Sequence, residues 1–428
     1  MKRILQVLIV FFAVMCFSIN LTGGVGRAAE PIVLGVVTSL KFFAGDLSYK
    51  AVQLAVDEIN AKGGVKVGST RRPFKIVTAD TRGAEPGVPV TEGLLALEKT
   101  ILEKKVHAIV VGPFRSEVLL ASMDIIAKHK VPMLGSIAMS PASEARIREN
   151  PEKYKYIFRL CLTSRYAGMY LSGLMAEINK EFGFNRVYLY VQDVMFARKS
   201  AEMMAGWFDK NGWAVLGQDI YPSGSTDFST GLMKAKAERA QVLLTFFSMA
   251  EASILTKLWI SMKIPALMTG QSTQFAYRGA WKHYDGKIAG CIDMALEVGS
   301  GTGAKKMPKS IAFYDAFVKR WGEYPPGPVG HGPAPSYEAV YVLAEAIERA
   351  GSLDPDAIVA EVEKTDRMGV MGRIRFDEGH QVPYGFDPKE AAMACVIQWT
   401  KDGQMVVIYP ESIAEAKIQL PSGLKAIK

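Results

Sequence analysis

Short apolar runs rich in β-branched residues alternate with segments of helical period along the first half of the chain, and few folds accept that order. IVLGVVT, at 32–38, is the first such run. Its lack of polar alternation predicts a strand buried on both faces. Over 46–61 the apolar residues Val52, Ala55, Val56 and Ile59 recur at three- and four-residue spacing, which predicts a helix laying one face on a sheet. Gly63 and Gly64 end it, since glycine takes the left-handed cap conformation without a Cβ clash, and the chain is expected to reverse directly into the strand FKIVTAD at 74–80. The order then repeats: a helix over 90–103, HAIVVG, a helix over 117–128, VPMLGS and YIFRLCL. A second series follows with a helix over 166–179, RVYLYV, a helix over 197–210, WAVLGQDIY, a helix near 231–239 and QVLLTFF. Strands and helices alternating through short connections predict parallel sheets covered on both faces, here as two similar α/β halves.

The ends and the length agree with an exported, two-lobed protein. Lys2 and Arg3 precede an uncharged apolar run over 4–19, and small residues lead to Ala28. That is the order of a secretory signal peptide cut after Ala28, so residues 1–28 are expected to be removed and the mature chain to be periplasmic or otherwise extracytoplasmic. A lipoprotein leader ending at Cys16 fits less well, because Met15 stands where a small residue is expected. The apolar run is also shorter than the roughly 20 residues of a membrane span. Without the leader roughly 400 residues remain, too many for one ordinary core. The formal charge of +8 falls with Lys2, Arg3 and Arg27, and the remaining basic residues are scattered, so no nucleic-acid partner is expected. Cys161, Cys291 and Cys395 each lie in an apolar run and read as buried thiols, with one disulfide between two of them left open.

The chain carries no zinc spacing and none of the motifs HExxH, GxSxG or GxxxxGK[ST]. GGVKVG follows a helix rather than linking a strand to one, so it reads as a turn and not as a phosphate loop. No catalytic residue, metal or cofactor is assigned. In open α/β sheets ligands bind beyond the carboxyl ends of the strands. GPFRSE at 112–117 lies there, offering Arg115 for a two-point contact with a carboxylate and Ser116 at a helix start. LGSIAMSP at 134–141 brings Ser136 to the same place. Arg115 as a solvated rim charge, Ser116 as a simple helix cap and Ser136 as a turn serine stay open. The stretch EYPPGPVGHGPAP at 323–335 reads as a surface loop or rim.

IVLGVVTS, DEINAKGGV, VVGPFRSE, VPMLGS, Phe158-Arg159, Asp227-Phe228, SYEAVYVLAEAIERAG and GRIRFDEGH together resemble the type I periplasmic solute-binding proteins. Within these the resemblance is to the leucine/isoleucine/valine-binding family that serves branched-chain amino acid ABC importers, and it covers nearly all of the mature chain. It implies two doubly wound parallel-sheet lobes joined by a three-strand hinge. Lobe 1 would comprise 29–160 and 296–370, and lobe 2 would comprise 161–295 and 371–428 with the C-terminal segment. It implies no enzymatic activity: a monomer would trap a small amino acid or carboxylate and present it to an ABC permease of the cytoplasmic membrane. A periplasmic sensor of the same fold, reporting to a receptor or regulator, is the alternative.

Carried onto this chain, the family's ligand positions fall on residues of unusual type. The carboxylate loop corresponds to 114–116, where Arg115 adds a charge beside Ser116. Ile137 and Met139 replace the small residue and threonine that complete the cradle. Gln271 stands at or beside the acidic residue that pairs with the ligand's ammonium. Phe42, Phe43, Tyr166, Met195, Phe196, Phe247 and His331 fall at the other matching positions. Together they suggest a flat apolar pocket with one arginine, suited to a hydrophobic or aromatic monocarboxylate, unless Asp193 or Glu251 supplies the missing anion.

Overall fold

The alternation of runs becomes two parallel sheets in a computed structural model that describes residues 29–248, 251–272, 275–322, 330–421 and 423–427. The expected signal peptide lies outside the described residues, as does most of the proline-rich stretch. The first unit runs β1 (Ile32–Thr38), α1 (Phe43–Ala61), β2 (Val65–Val67), β3 (Thr70–Arg72), β4 (Phe74–Asp80), α2 (Val90–Lys104), β5 (Ala108–Val111), α3 (Ser116–His129), β6 (Met133–Gly135), α4 (Ala142–Glu149), α5 (Pro151–Tyr154) and β7 (Ile157–Arg159). Its sheet has the order β4-β1-β5-β6-β7, every pair parallel. The second unit runs α6 (Ser164–Phe182), β8 (Arg186–Gln192), α7 (Met195–Lys210), β9 (Ala214–Tyr221), α8 (Ser229–Ala237), β10 (Val242–Phe246), α9 (Glu251–Ser261), β11 (Leu267–Gln271), α10 (Ala280–His283) and β12 (Ile292–Ala295). Its parallel sheet has the order β11-β10-β8-β9. Then follow α11 (Pro308–Trp321), α12 (Pro333–Ala350), α13 (Pro355–Glu363), β13 (Asp366–Gly369), β14 (Gly372–Arg375), β15 (Cys395–Trp399) and β16 (Met405–Tyr409). β12, β15 and β16 make an antiparallel sheet beside β11.

The sheet cores explain the apolar runs. Ile32, Leu34, Val36 and Val37 of β1 are fully buried, as a parallel strand covered on both faces requires. The face of α1 carrying Val52, Ala55, Val56 and Ile59 is buried as its spacing predicts. The helix begins at Phe43, ahead of the predicted start, because Phe43 faces the space between the units and does not follow the sheet-facing period. The turn after α1 is a correction. Instead of reversing directly into β4, the chain makes the hairpin β2-β3, whose residues 66–72 are largely exposed. Gly64 opens it at φ +81°, and a Cβ there would lie 2.4 Å from the Arg72 carbonyl oxygen, so glycine is required.

Three stretches pass between the units and are bonded to one another. The first follows β7, where the Leu160 carbonyl accepts from Tyr384 Oη at 2.8 Å and the Cys161 carbonyl from Gln381 Nε2 at 2.9 Å. The second follows β12, where Val298 N–H donates to the Met393 carbonyl at 3.0 Å. The third leaves the first unit later than the expected point at Met371. Arg159 N–H still donates to His380 O, and Val382 N–H to Arg159 O, so residues 380–382 lie along the edge of β7. The helix α12 packs on α1, which returns the intervening segment to the first unit. Cys161, Cys291 and Cys395 are buried free thiols, and burial pushes Cys161 up to about 11. Among the described residues no helix is long and apolar enough to cross a membrane.

Candidate ligand cleft

The carboxyl ends of β5, β6, β8, β10 and β11 converge on one cleft between the two units, with about 630 Å³ of space free of protein atoms, its mouth included. The turn after β5 is unusual. Val111 and Gly112 both take left-handed backbone, at φ 77° and 74°. For a β-branched residue that conformation is strained, on the order of 1–3 kcal/mol, and it delivers Phe114, Arg115 and Ser116 to the cleft wall. Arg115 precedes α3 with extended backbone, and no side chain caps the helix. The first-turn N–H groups of α3 therefore lack intrahelical acceptors and favour an anion beside Ser116. Arg115 is half-buried, its Nη2 donates to the Val88 carbonyl at 2.8 Å, and its Nε is buried without a partner.

Apolar walls complete the space. Phe43, Ile137 and Met139 line it from the first unit, and Met195, Phe196 and Phe247 from the second. Phe42 stands behind, its ring 4.1 Å from Phe43 and 5.2 Å from Phe114. Glu117 tethers the two walls. It is in the first turn of α3, yet its Oε1 accepts from Met195 N–H, at the start of α7 in the other unit, at 3.1 Å. The helix α7 has no cap from its own flanking residue, so Glu117 supplies one from across the cleft. The bond joins the two units, so Glu117→Ala is expected to ease their separation and speed release of a bound carboxylate about fivefold, the effect of losing a cap of about 1 kcal/mol. Stopped-flow dissociation checks this, and an unchanged rate would mean that the contact does not hold the units closed.

Gln271 ends β11, is 1 % exposed, and donates from Nε2 to Met139 Sδ across the cleft at 3.3 Å. Asp193 and Glu251, the two acids offered above as a replacement charge, are engaged elsewhere. Asp193 pairs with Arg198 at 2.6 Å, and Glu251 accepts from Gly224 N–H. Neither lines the cleft.

His331 closes the floor. Its Nδ1 lies 2.9 Å from Glu297 Oε1 and its Nε2 lies 2.6 Å from the Ile137 carbonyl oxygen. The Ile137 carbonyl can only accept, so Nε2 donates, and against a Glu297 carboxylate Nδ1 donates as well, which is the imidazolium form. Burial pulls its pKa down, but the Glu297 charge and hydrogen bond, with the Ile137 carbonyl, outweigh burial and leave it raised. Glu297 is fully buried and also accepts from the N–H groups of Leu162 and Gly332, at 3.2 and 3.1 Å.

Ten of the expected residues therefore line this one cleft: Phe43, Arg115, Ser116, Ile137, Met139, Met195, Phe196, Phe247, Gln271 and His331. Besides Phe42, which stands behind Phe43, two do not. Ser136 is fully buried and bonded at 2.7 Å to Ser336 Oγ of α12, because the chain past β6 turns its side chain away from the opening. Tyr166 lies in the first turn of α6 among hinge residues, under the Arg165 guanidinium at 4.2 Å and beside the Tyr384 ring at 5.8 Å. Glu117, Leu296 and Glu297 escape sequence reasoning for different reasons. An acid in a first helical turn is ordinary. The two acids Asp293 and Glu297 within the apolar run IDMALEV were the only sign that an acid is buried here.

Residues 33–387 match a family model described as a periplasmic binding protein. A Leu/Ile/Val-binding protein homolog 7 of Brucella suis is 22% identical over 390 residues, covering 88% of this chain and 90% of that protein. The branched-chain amino acid transporter substrate binding protein LivJ of Streptococcus pneumoniae, in complex with isoleucine, superposes with a TM-score of 0.71 at 21% identity, covering 89% of this chain and 100% of that one. An ABC transporter solute binding protein of R. palustris, in complex with benzoate, superposes with a TM-score of 0.70 at 14% identity, covering 92% and 99%.

Proposed function

This chain belongs to the periplasmic binding protein family, and from that premise we propose that it captures an apolar or aromatic carboxylate and presents it to an ABC permease. The observation that carries the reading is the pairing of Arg115 and Ser116 at the uncapped start of α3 with the uncharged Gln271 on the facing wall. An amino acid ligand would bury its ammonium against a neutral amide, and a buried charge without a counter-charge is costly. Asp193 and Glu251 are already engaged, and Glu117 is bonded to the start of α7. The carboxylate end is served by a guanidinium, a hydroxyl and a helix start, all of which favour an anion. The isoleucine and benzoate complexes of proteins sharing this fold mark the two ligand chemistries between which these residues choose. Ligand capture followed by lobe closure is the whole activity in this reading, and the closed state is what the permease recognises.

The test is a thermal-shift panel on protein stripped of ligand by unfolding and refolding. Benzoate, phenylacetate and branched-chain oxo acids are compared with leucine, isoleucine and phenylalanine. A ligand at about a hundred times its dissociation constant adds about 2.7 kcal/mol of stability. The carboxylates are expected to raise the midpoint and the amino acids to leave it unchanged. The reverse pattern would return the cleft to amino acid binding.

A further inference from the structure

The two atoms of the Gln271 amide differ in what surrounds them. Nε2 donates to the Met139 thioether, while Oε1 is buried and has no partner among the described residues. Only the nitrogen can donate to a thioether sulfur, so turning the amide over would set an oxygen against that sulfur and lose the contact. The orientation leaves an acceptor, and not a donor, unsatisfied.

Apart from the Ser116 hydroxyl at the carboxylate end, the other polar side chains near the cleft are engaged. His331 donates from both nitrogens, Ser248 bonds to Gln192 Oε1, and Glu117 accepts from Met195 N–H. Among the described residues lining the cleft, the buried side-chain polar atoms left without a partner are Arg115 Nε, a donor, and Gln271 Oε1, an acceptor. They belong to opposite units. A buried acceptor left unpaired is costly, and a donor carried by the ligand removes that cost.

We propose that Gln271 is a specificity residue that selects ligands bearing a neutral O–H or N–H donor at the end away from the carboxylate. The inference rests on the carboxylate reading above and narrows it to hydroxylated, apolar or aromatic carboxylates. A second carboxylate at this end is rejected, since it would bring acceptor oxygens to an acceptor. An ammonium is poorly served, because one neutral oxygen meets one of its three N–H groups and none of its charge.

Calorimetric titration of the ligand-stripped protein with benzoate, its three ring-hydroxylated isomers and the matching methyl ethers tests this. At least one hydroxylated isomer is expected to bind about tenfold tighter than benzoate, and its methyl ether to lose that advantage. In Gln271→Met, which keeps the length and removes the acceptor, the ratio between that isomer and benzoate is expected to fall to about one. The methyl ethers test the same contact on the unaltered protein, so the result does not depend on the variant folding. Carboxylates that bind without any preference for the hydroxyl, or a preference that survives methylation or Gln271→Met, would overturn the role of Gln271 alone. Binding of leucine or phenylalanine with none of the acids would overturn the carboxylate reading and this inference with it.

Discussion

Glu297→Ala is expected to lower the stability of the ligand-free protein by about 3–5 kcal/mol, the usual cost of removing one member of a buried ion pair. The carboxylate is fully buried and gathers donors from separate stretches of chain. Leu162 lies on the first crossing between the units, Glu297 itself on the second, and His331 and Gly332 on the loop leading into α12. Ser300 Oγ adds a longer contact at 3.4 Å. Alanine would leave an imidazolium without its counter-charge and two backbone N–H groups without acceptors. Urea unfolding, read as the shift in midpoint at constant slope, measures the loss. A change of less than about 1 kcal/mol would mean that the His331 ring is not charged in the folded protein.

The same pair sets a pH dependence. The pKa of His331 is raised above its ordinary value of 6.5 because Glu297 and the Ile137 carbonyl outweigh burial, with nearby Arg159 opposing them. A raised folded value means that the stabilisation is fully present below the unfolded pKa and disappears as pH rises through the folded one. Stability of the unaltered protein is therefore expected to decline as pH climbs above the ordinary histidine range. Glu297→Gln, which removes the cause of the shift, should lack that decline.

Much of this architecture is visible in the residues alone, and the exceptions have identifiable causes. FKIVTAD forms β4 over the whole predicted span at the edge of the first sheet, since its β-branched and aromatic residues follow directly on Pro73 and mark a strand even where burial is partial. The hairpin β2-β3 is hidden because its polar, exposed residues carry no burial pattern. Phe43 lengthens α1 because it answers to the cleft and not to the sheet. The cleft residues were legible as types at strand ends, with Arg115 the clearest. What was not legible is direction. Nothing in LGSIAMSP separates Ser136, which turns inward to Ser336, from Ile137 and Met139, which line the opening. The partners of the buried Glu297 were invisible for a like reason: they come from segments more than a hundred residues before it and about thirty after.

Arg115→Ala is expected to weaken carboxylate binding by about 1.5–3 kcal/mol, roughly ten- to a hundredfold, the scale of a hydrogen bond to a charged group. The guanidinium is held in place before any ligand arrives, since Nη2 is tied to the Val88 carbonyl and Nε is buried with nothing to bond. Arg115→Lys keeps the charge but offers a single ammonium that cannot hold Val88 and reach the ligand in the same fork geometry, so an intermediate loss is expected. Calorimetry against benzoate and its relatives gives the dissociation constants, and unchanged affinity in Arg115→Ala would place this residue on the rim. The two ends of the cleft also predict different patterns. Loss of Arg115 should weaken every carboxylate by a similar factor, whatever its tail, whereas loss of the Gln271 acceptor should penalise only ligands that carry the distal donor. The two side chains stand on separate units and share no partner, so the double variant should show the sum of the two effects. A marked departure from additivity would mean that ligand bridging between Arg115 and Gln271 drives the units together, and that each contact depends on the other for closure.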